Sequence, residues 1–294
     1  VLYCTAPGGL RGAEIRLLFP SVGATENALI ASVTARGETR IFGAAREPEI
    51  DDLARFLNRC GARVSGIGTD TLEIAGVRRL HGASHTVLPD RIEAATYLTA
   101  AAMTGGDVLL RRMNPAHLRP VLDCLQDAGC DVRVSAHAVR LRAPERLSAF
   151  PPVRTAPYPG FPTDAQALLM AAAAAARGTS TFEETVFSDR FRHVPALRRM
   201  GADIRTDGAH AVVYGVPQLH GAAVQATDLR GGAAMILAGL AADGVTTVAD
   251  DGHIDRGYEK IECVLQSLGA DIGRERIWQV KEKIPAPISK TAVG

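Results

Sequence analysis

A unit of about seventy residues recurs four times along the chain, a repeat size that marks copies of one supersecondary element stacked on each other. Each copy closes a helical stretch on a glycine followed by a short extended segment: Gly61-Ala62-Arg63-Val64, Gly129-Cys130-Asp131-Val132, Gly201-Ala202-Asp203-Ile204 and Gly269-Ala270-Asp271-Ile272. Those glycines stand 68, 72 and 68 residues apart. The copies also open alike, at Ser21-Val22-Gly23-Ala24-Thr25, Pro89-Asp90-Arg91-Ile92-Glu93, Pro162-Thr163-Asp164-Ala165-Gln166 and Thr227-Asp228-Leu229-Arg230-Gly231. A unit of this kind cannot bury its apolar face alone.

The third copy shows the order of elements. Asp164 to Ala176 is almost entirely Ala, Leu and Met, which predicts a helix buried on every side. Arg177-Gly178 ends it, and Thr179 to Glu183 reads as a strand. An amphipathic helix is expected from about Asp189 to Met200, stopped by Gly201 as a left-handed cap. A hairpin follows around Asp207-Gly208. The order is helix, strand, helix, strand, strand, and it fits Gly23 to Val77, Asp90 to Leu141 and Asp228 to Ile277. Because one helix per unit is the more buried element, the helices should lie inside and the sheets outside. The Ala-rich runs Ala94 to Met103, Ala165 to Ala176 and Ala233 to Ala242 suit close helix packing.

Of the 294 residues, 47% are hydrophobic and 22% charged, which predicts a folded chain, and the length suggests two domains. A net charge of +1 argues against a nucleic-acid or other generic polyanion binder. The longest apolar run, Ala165 to Ala176, is too short for a membrane span. Five cysteines without CxxC spacing point to a reducing, cytoplasmic compartment. Neither a metal site nor a cofactor is expected. His81 and His220 share a Leu-His-Gly sequence in two copies and read as turn structure. The chain opens on Val1 with a stretch that reads as a strand running into Pro7-Gly8-Gly9 rather than as a leader, and we expect it to be part of a longer protein.

Chemistry is expected at the helix N-termini, whose free N–H groups favour anions. Ser21, Asp90, Asp164 and Asp228 sit there and read, one by one, as N-caps. Arg91, Arg190, Arg230 and Arg256 fall in predicted first turns, where the dipole disfavours a cation. Three of them follow an aspartate directly. The set is either a group of structural ion pairs or a converging anion site. Gly257, beside Arg256, would let a ligand approach the backbone.

Longer motifs carry a resemblance. Ala45-Arg46-Glu47-Pro48-Glu49-Ile50, Arg154 through Tyr158-Pro159-Gly160-Phe161 to Asp164, Ala226-Thr227-Asp228-Leu229-Arg230 and His253-Ile254-Asp255-Arg256-Gly257-Tyr258-Glu259 are similar to the UDP-N-acetylglucosamine 1-carboxyvinyltransferases. Phe19 to Asn27 and Val87 to Glu93 match as well. The resemblance implies an α/β fold, an inside-out α/β barrel of such units in two domains: 1–88 for what remains of the first, 89–277 for the second, with 278–294 an unmatched tail. It implies transfer of the enolpyruvyl group of phosphoenolpyruvate to the 3-hydroxyl of UDP-N-acetylglucosamine, with release of phosphate. Those two small molecules are the expected partners, without nucleic acid or membrane. Carried over, Asp164 takes the proton of that hydroxyl, and Ser21, Val22 and Gly23 hold the uridine diphosphate. Val186 and Phe187 lie against the sugar nucleotide. Arg190, Asp228, Arg230 and Arg256 surround phosphoenolpyruvate, whose carboxylate and phosphate suit the paired donors of arginine.

The resemblance also implies an N-terminal third with a Lys-Asn pair and a reactive-cysteine loop, for which this sequence has no counterpart. The 294-residue polypeptide is therefore expected to be inactive alone. A catalytically silent remnant and a relative of the shikimate-pathway enolpyruvyl transferase are the alternatives.

Overall fold

The computed structural model describes residues 3–275. They belong to two compact units, one up to Glu259 and one from Lys260 onward. In the first repeat β1 (Glu14–Arg16) leads to α1 (Val22–Ser32), β2 (Glu38–Phe42), α2 (Pro48–Arg59), β3 (Val64–Ser65) and β4 (Thr71–Ala75). The second holds α3 (Arg91–Met103), β5 (Asp107–Arg111), α4 (Arg119–Asp127), β6 (Asp131–Ser135) and β7 (Ala138–Arg142). The third holds β8 (Val153–Arg154), α5 (Thr163–Ala175), β9 (Thr179–Glu183), α6 (Val194–Arg199), β10 (Asp203–Asp207) and β11 (His210–Tyr214). The fourth has β12 (Leu219–His220), β13 (Ala223–Gln225), α7 (Leu229–Leu240), β14 (Ala242–Asp243), β15 (Thr247–Ala249) and a 3-10 turn, Ile254–Arg256. The unit from Lys260 contributes α8 (Ile261–Ser267).

The glycines that close the repeats act as the sequence predicts. Gly61, Gly129, Gly201 and Gly269 all have φ between 92° and 103°, a conformation other residues adopt at a cost. Each donates its N–H to the carbonyl three residues back, at Asn58, Gln126, Arg198 and Gln266. The next residue donates to the carbonyl five back, at Leu57, Leu125, Leu197 and Leu265. Four Schellman caps thus end the four second helices. His81 and His220 fill one role: their N–H groups bond Cys60 and Met200 carbonyls, and their rings lie against Gly61 and Gly201.

Strand pairing follows the repeat. The sheets run β1-β2-β4-β3, β5-β7-β6 and β8-β9-β11-β10, with β13 beside β15. β1 with β2, β8 with β9 and β13 with β15 are parallel, so α1, α5 and α7 are the crossovers that parallel pairing requires. The strands alternate in burial, as in β2 and β9. One face covers helices and the other meets solvent.

α3, α5 and α7 pack on one another at the centre. Every residue from Ala165 to Ala174 is buried, so the helices are inside and the sheets outside, as the all-apolar helix predicts. α1 departs from this pattern. Only Thr25, Leu29 and Ser32 of α1 are buried; Ile30 near its end is 52% exposed, and Leu18 and Phe19 before its start are exposed at 106% and 41%. The first repeat has its own core, from Leu29 and Ile41 through Ile50 and Ala54 to Leu72 and Ile74.

Four element expectations need correction. The helix of the third repeat starts at Val194 rather than Asp189, because Asp189 has φ 55° and Pro195 favours a helix start beside it. Arg256 and Gly257 lie at the end of a 3-10 turn and not in a helical first turn. No strand forms at 269–275, and Ile277 with the tail 278–294 lies outside the described residues. Ahead of Pro7 the described residues form no strand either; the first is β1.

Candidate active site

Asp164 is the second residue of α5, which follows Pro162 and has no side-chain cap. The N-cap expectation is therefore wrong for Asp164, whose carboxylate instead bridges two arginines. Arg190 Nη2 donates to Oδ1 at 2.6 Å, and Arg230 gives Nε at 3.2 Å and Nη2 at 3.1 Å to Oδ2. Caps do form at the other three sites. Ser21 Oγ accepts from Ala24 N at 3.3 Å; Asp90 accepts from Ile92 N and Glu93 N; Asp228 Oδ1 accepts from Arg230 N at 3.0 Å and Gly231 N at 2.9 Å.

Arg230 is fixed from two sides. Its Nη1 donates to the Tyr258 hydroxyl at 3.1 Å, and its guanidinium carbon lies 5.5 Å from the centre of that ring. Tyr258 is 1% exposed, and its hydroxyl is 2.8 Å from Thr96 Oγ1. The Thr96 proton goes to the Ile92 carbonyl at 2.9 Å, so the Tyr258 proton goes to Thr96 and its oxygen receives Arg230. Burial pulls the Arg230 pKa down, but Asp164, Tyr258 and Asp90 together hold it above the usual arginine value. The N-terminal ends of α3, α5 and α7 thereby meet around one guanidinium.

Asp228 is half-buried. Burial opposes its charge, yet the Gly231 N–H, the Arg190 charge and the Arg230 N–H together keep its pKa below the usual carboxylate value. Close beneath, His193 is fully buried, with Nε2 3.3 Å from Met170 Sδ. Burial, helped by Arg190, pushes its pKa down to about 4, so the ring is neutral. Gly231 leaves room for it: a Cβ there would come 3.1 Å from His193 Cβ.

Val186 and Phe187 are on the loop after β9. Both backbone N–H groups bond Glu184 Oε1, at 2.9 and 3.1 Å. Phe187 is 54% exposed, and the Arg190 guanidinium carbon is 5.2 Å from the centre of its ring.

The arginine set divides. Arg190 and Arg230 converge on Asp164. Arg91 is a structural pair, donating to Glu49 of α2 at 3.1 Å and lying over the Tyr158 ring. Arg256 is exposed and forms no ion pair among the described residues. Ser21, Val22 and Gly23 stand at the start of α1, and Ser21 caps it. In the same helix Thr25 Oγ1 accepts from Ala45 N, and Glu47, just ahead of α2, accepts from Tyr158 N through Oε1.

His81 and His85 have a four-residue spacing that could ligate a metal on a helix. They are not on one, and His85 Nε2 lies 3.0 Å from Asp52 Oδ1. No group of three His, Cys, Asp or Glu side chains with metal-binding geometry occurs among the described residues. Burial pushes the Cys124 and Cys130 thiols up to about 12 and about 11, so neither is a nucleophile. No helix among the described residues is long and apolar enough to cross a membrane. Sequence reasoning missed Glu184, Tyr258, Thr96 and His193 as site-forming residues.

Two arginines from distant parts of the sequence thus share one carboxylate at the start of α5. The chain belongs to the EPSP synthase (3-phosphoshikimate 1-carboxyvinyltransferase) family, whose pattern matches residues 3–265. It is 52% identical over 274 residues to the UDP-N-acetylglucosamine 1-carboxyvinyltransferase of Finegoldia magna, covering 92% of this chain and 64% of that one. It is 54% identical over 273 residues to UDP-N-acetylglucosamine 1-carboxyvinyltransferase 1 of Symbiobacterium thermophilum, covering 93% and 62%. Among solved structures it is similar to the enolpyruvyl transferase NikO from Streptomyces tendae, with TM-score 0.79 and 28% identity over 91% of this chain and 68% of that one. EPSP synthase from Acinetobacter baumannii shares the fold, with TM-score 0.67 and 20% identity over 90% and 64%. The chain thus spans 64% and 62% of the length of the two curated relatives.

Proposed function

We propose that this chain is the larger part of an enzyme that transfers the enolpyruvyl group of phosphoenolpyruvate to the 3-hydroxyl of UDP-N-acetylglucosamine. That is the first committed step of peptidoglycan precursor synthesis, in the cytoplasm, and so serves cell-wall growth, shape and division. The observation that carries the reading is Asp164 held between Arg190 and Arg230, with the Val186–Phe187 loop beside them. The relatives at 52% and 54% identity bear the corresponding name.

In this reading Arg190, Arg230 and Arg256 bind the carboxylate and phosphate of phosphoenolpyruvate. Asp164 takes the proton as the acceptor hydroxyl oxygen bonds to C2, while C3 gains a proton. The tetrahedral adduct then loses phosphate and a C3 proton, restoring the double bond. Asp228, which caps α7 through Oδ1 and accepts from Thr227 Oγ1 through Oδ2, adds a negative charge beside Arg190. Ser21, Val22 and Gly23 hold the diphosphate from the start of α1, and Phe187 covers the sugar nucleotide.

The separate core of the first repeat and the stretch between Ala75 and Arg91, which has neither helix nor strand, support a boundary near 88/89. The uncovered face of α1 is where the rest of the first domain, the third of the relatives' length not represented here, would pack. The test uses the chain completed to the length of its relatives, supplied with phosphoenolpyruvate. Phosphate release that requires UDP-N-acetylglucosamine is expected. Release with 3-phosphoshikimate and not with UDP-N-acetylglucosamine would overturn the acceptor assignment.

A further inference from the structure

Glu184 is 4% exposed, follows the last residue of β9, and has both carboxylate oxygens bonded inside the protein. Oε1 accepts from Thr155 Oγ1 at 2.9 Å, from Val186 N at 2.9 Å and from Phe187 N at 3.1 Å. Oε2 accepts from Thr163 Oγ1 at 2.9 Å. Thr163 is the first residue of α5 and the neighbour of Asp164. Thr155 is 0% exposed and is itself bonded to Thr185 through both its oxygens. One carboxylate thus joins the end of β8, the start of the central helix and the loop over which Arg190 folds.

Burying a carboxylate costs several kcal/mol unless its lone pairs are met. Among the described residues no arginine or lysine pairs with it; four neutral donors meet it instead. A purely structural link between β8 and α5 would need one or two of them. The two backbone N–H groups belong to the residues that face the acceptor in the proposed reaction, and they bond the same oxygen.

We infer that Glu184 is the positioning residue that fixes the acceptor loop relative to Asp164, so that sugar-nucleotide binding and proton removal share one rigid reference. The inference rests on the proposed enolpyruvyl transfer for its kinetic consequence, but its structural consequence is independent of that reaction. Ordering a loop before the ligand arrives lowers the cost of binding. Small misplacement of a reacting group costs rate steeply.

Two measurements test it. In the 294-residue chain itself, deuterium exchange at Val186 and Phe187 should rise at least about tenfold in Glu184→Ala and stay near wild type in Glu184→Gln, whose oxygen still accepts. Unchanged exchange in Glu184→Ala overturns the inference whatever the chain catalyses. In the completed enzyme, Glu184→Ala should raise KM for UDP-N-acetylglucosamine by about tenfold or more. That rise should not add to the rise caused by Phe187→Ala, since both act through one loop. Additive effects, or a loss confined to the folded fraction, would make Glu184 a stability residue only. Should Glu184→Ala not fold, Thr163→Val cuts the α5 arm alone. It should lower kcat about tenfold with acceptor KM within about twofold, and an unchanged kcat overturns the inference.

Discussion

Asp164 carries two guanidiniums and no helix-capping bond, so replacing it tests charge and chemistry together. With Asn, Arg190 and Arg230 lose their common counter-charge. Hydrogen bonds to charged groups contribute about 1.5–3 kcal/mol, and the 37% exposure of the Asp164 side chain reduces this to about 1 kcal/mol for Asp164→Asn. The completed enzyme should lose about 10²-fold or more in kcat, because an amide takes no proton. If kcat stayed above about a third of wild type with chemistry rate-limiting, Asp164 would be an arginine anchor and not the base. His193 offers a second residue-scale test. Its unfolded pKa is about 6.5, and in the folded chain burial lowers it to about 4. Below pH 6.5 the unfolded chain takes up a proton that the folded chain refuses. The stabilising contribution is therefore full above about 6.5 and shrinks as pH falls toward 4, by up to about 3 kcal/mol. The stability gap between wild type and His193→Gln, read from urea unfolding at pH 7 and pH 4, should narrow by an amount of that order. A gap independent of pH would place a charged ring in the folded core.

At the scale of elements, α5 has no solvent face. Leu169 is 0% exposed, and Leu169→Asp should cost several kcal/mol, as an unpaired buried charge does. Retention of the wild-type Tm would mean the helix is not central. α7 meets the 3-10 turn at closer range. A Cβ on Gly232 would stand 2.7 Å from Ile254 Cγ1 and 3.1 Å from Ala226 Cβ. Gly232→Ala should therefore destabilise by about 1–3 kcal/mol despite the better helix propensity of Ala. Because Ile254 begins the turn that carries Arg256, KM for phosphoenolpyruvate should rise with it. A stabilised variant with unchanged KM would show that this contact is slack. These elements were legible to different degrees. The closing glycines were plain because a left-handed cap is a local demand that one residue type meets. The apolar run of α5 was plain because burial on all sides leaves no polar periodicity. The loop from Glu184 to His193 was not, since its order comes from Thr155 and Thr163, both some twenty to thirty positions upstream. Asp164 likewise reads as a cap locally, while its partners Arg190 and Arg230 are 26 and 66 residues away.

Across the whole molecule, one repeat is unlike the rest. α3, α5 and α7 bury each other, whereas α1 leaves Ile30 exposed, and Leu18 and Phe19 ahead of it are exposed too. Side chains of this kind in a helix that repeats the position of three buried ones mark a face that needs a cover. In the proposed enzyme that cover is the part of the first domain belonging to the third of the relatives' length not represented here, and the diphosphate site at Ser21, Val22 and Gly23 lies at the same helix. Two consequences separate the chain from the completed protein. The 294-residue polypeptide should release no phosphate from phosphoenolpyruvate in response to UDP-N-acetylglucosamine, and release above a heat-killed control would show the site is sufficient as it stands. Ile30→Lys should change the stability of the 294-residue chain by no more than about 0.5 kcal/mol, as for an ordinary surface position. In the completed enzyme the same lysine would be buried against apolar neighbours, costing several kcal/mol and lowering Tm and activity together. An equal and small effect in both would mean that α1 faces solvent in the whole protein, and that the missing length packs elsewhere.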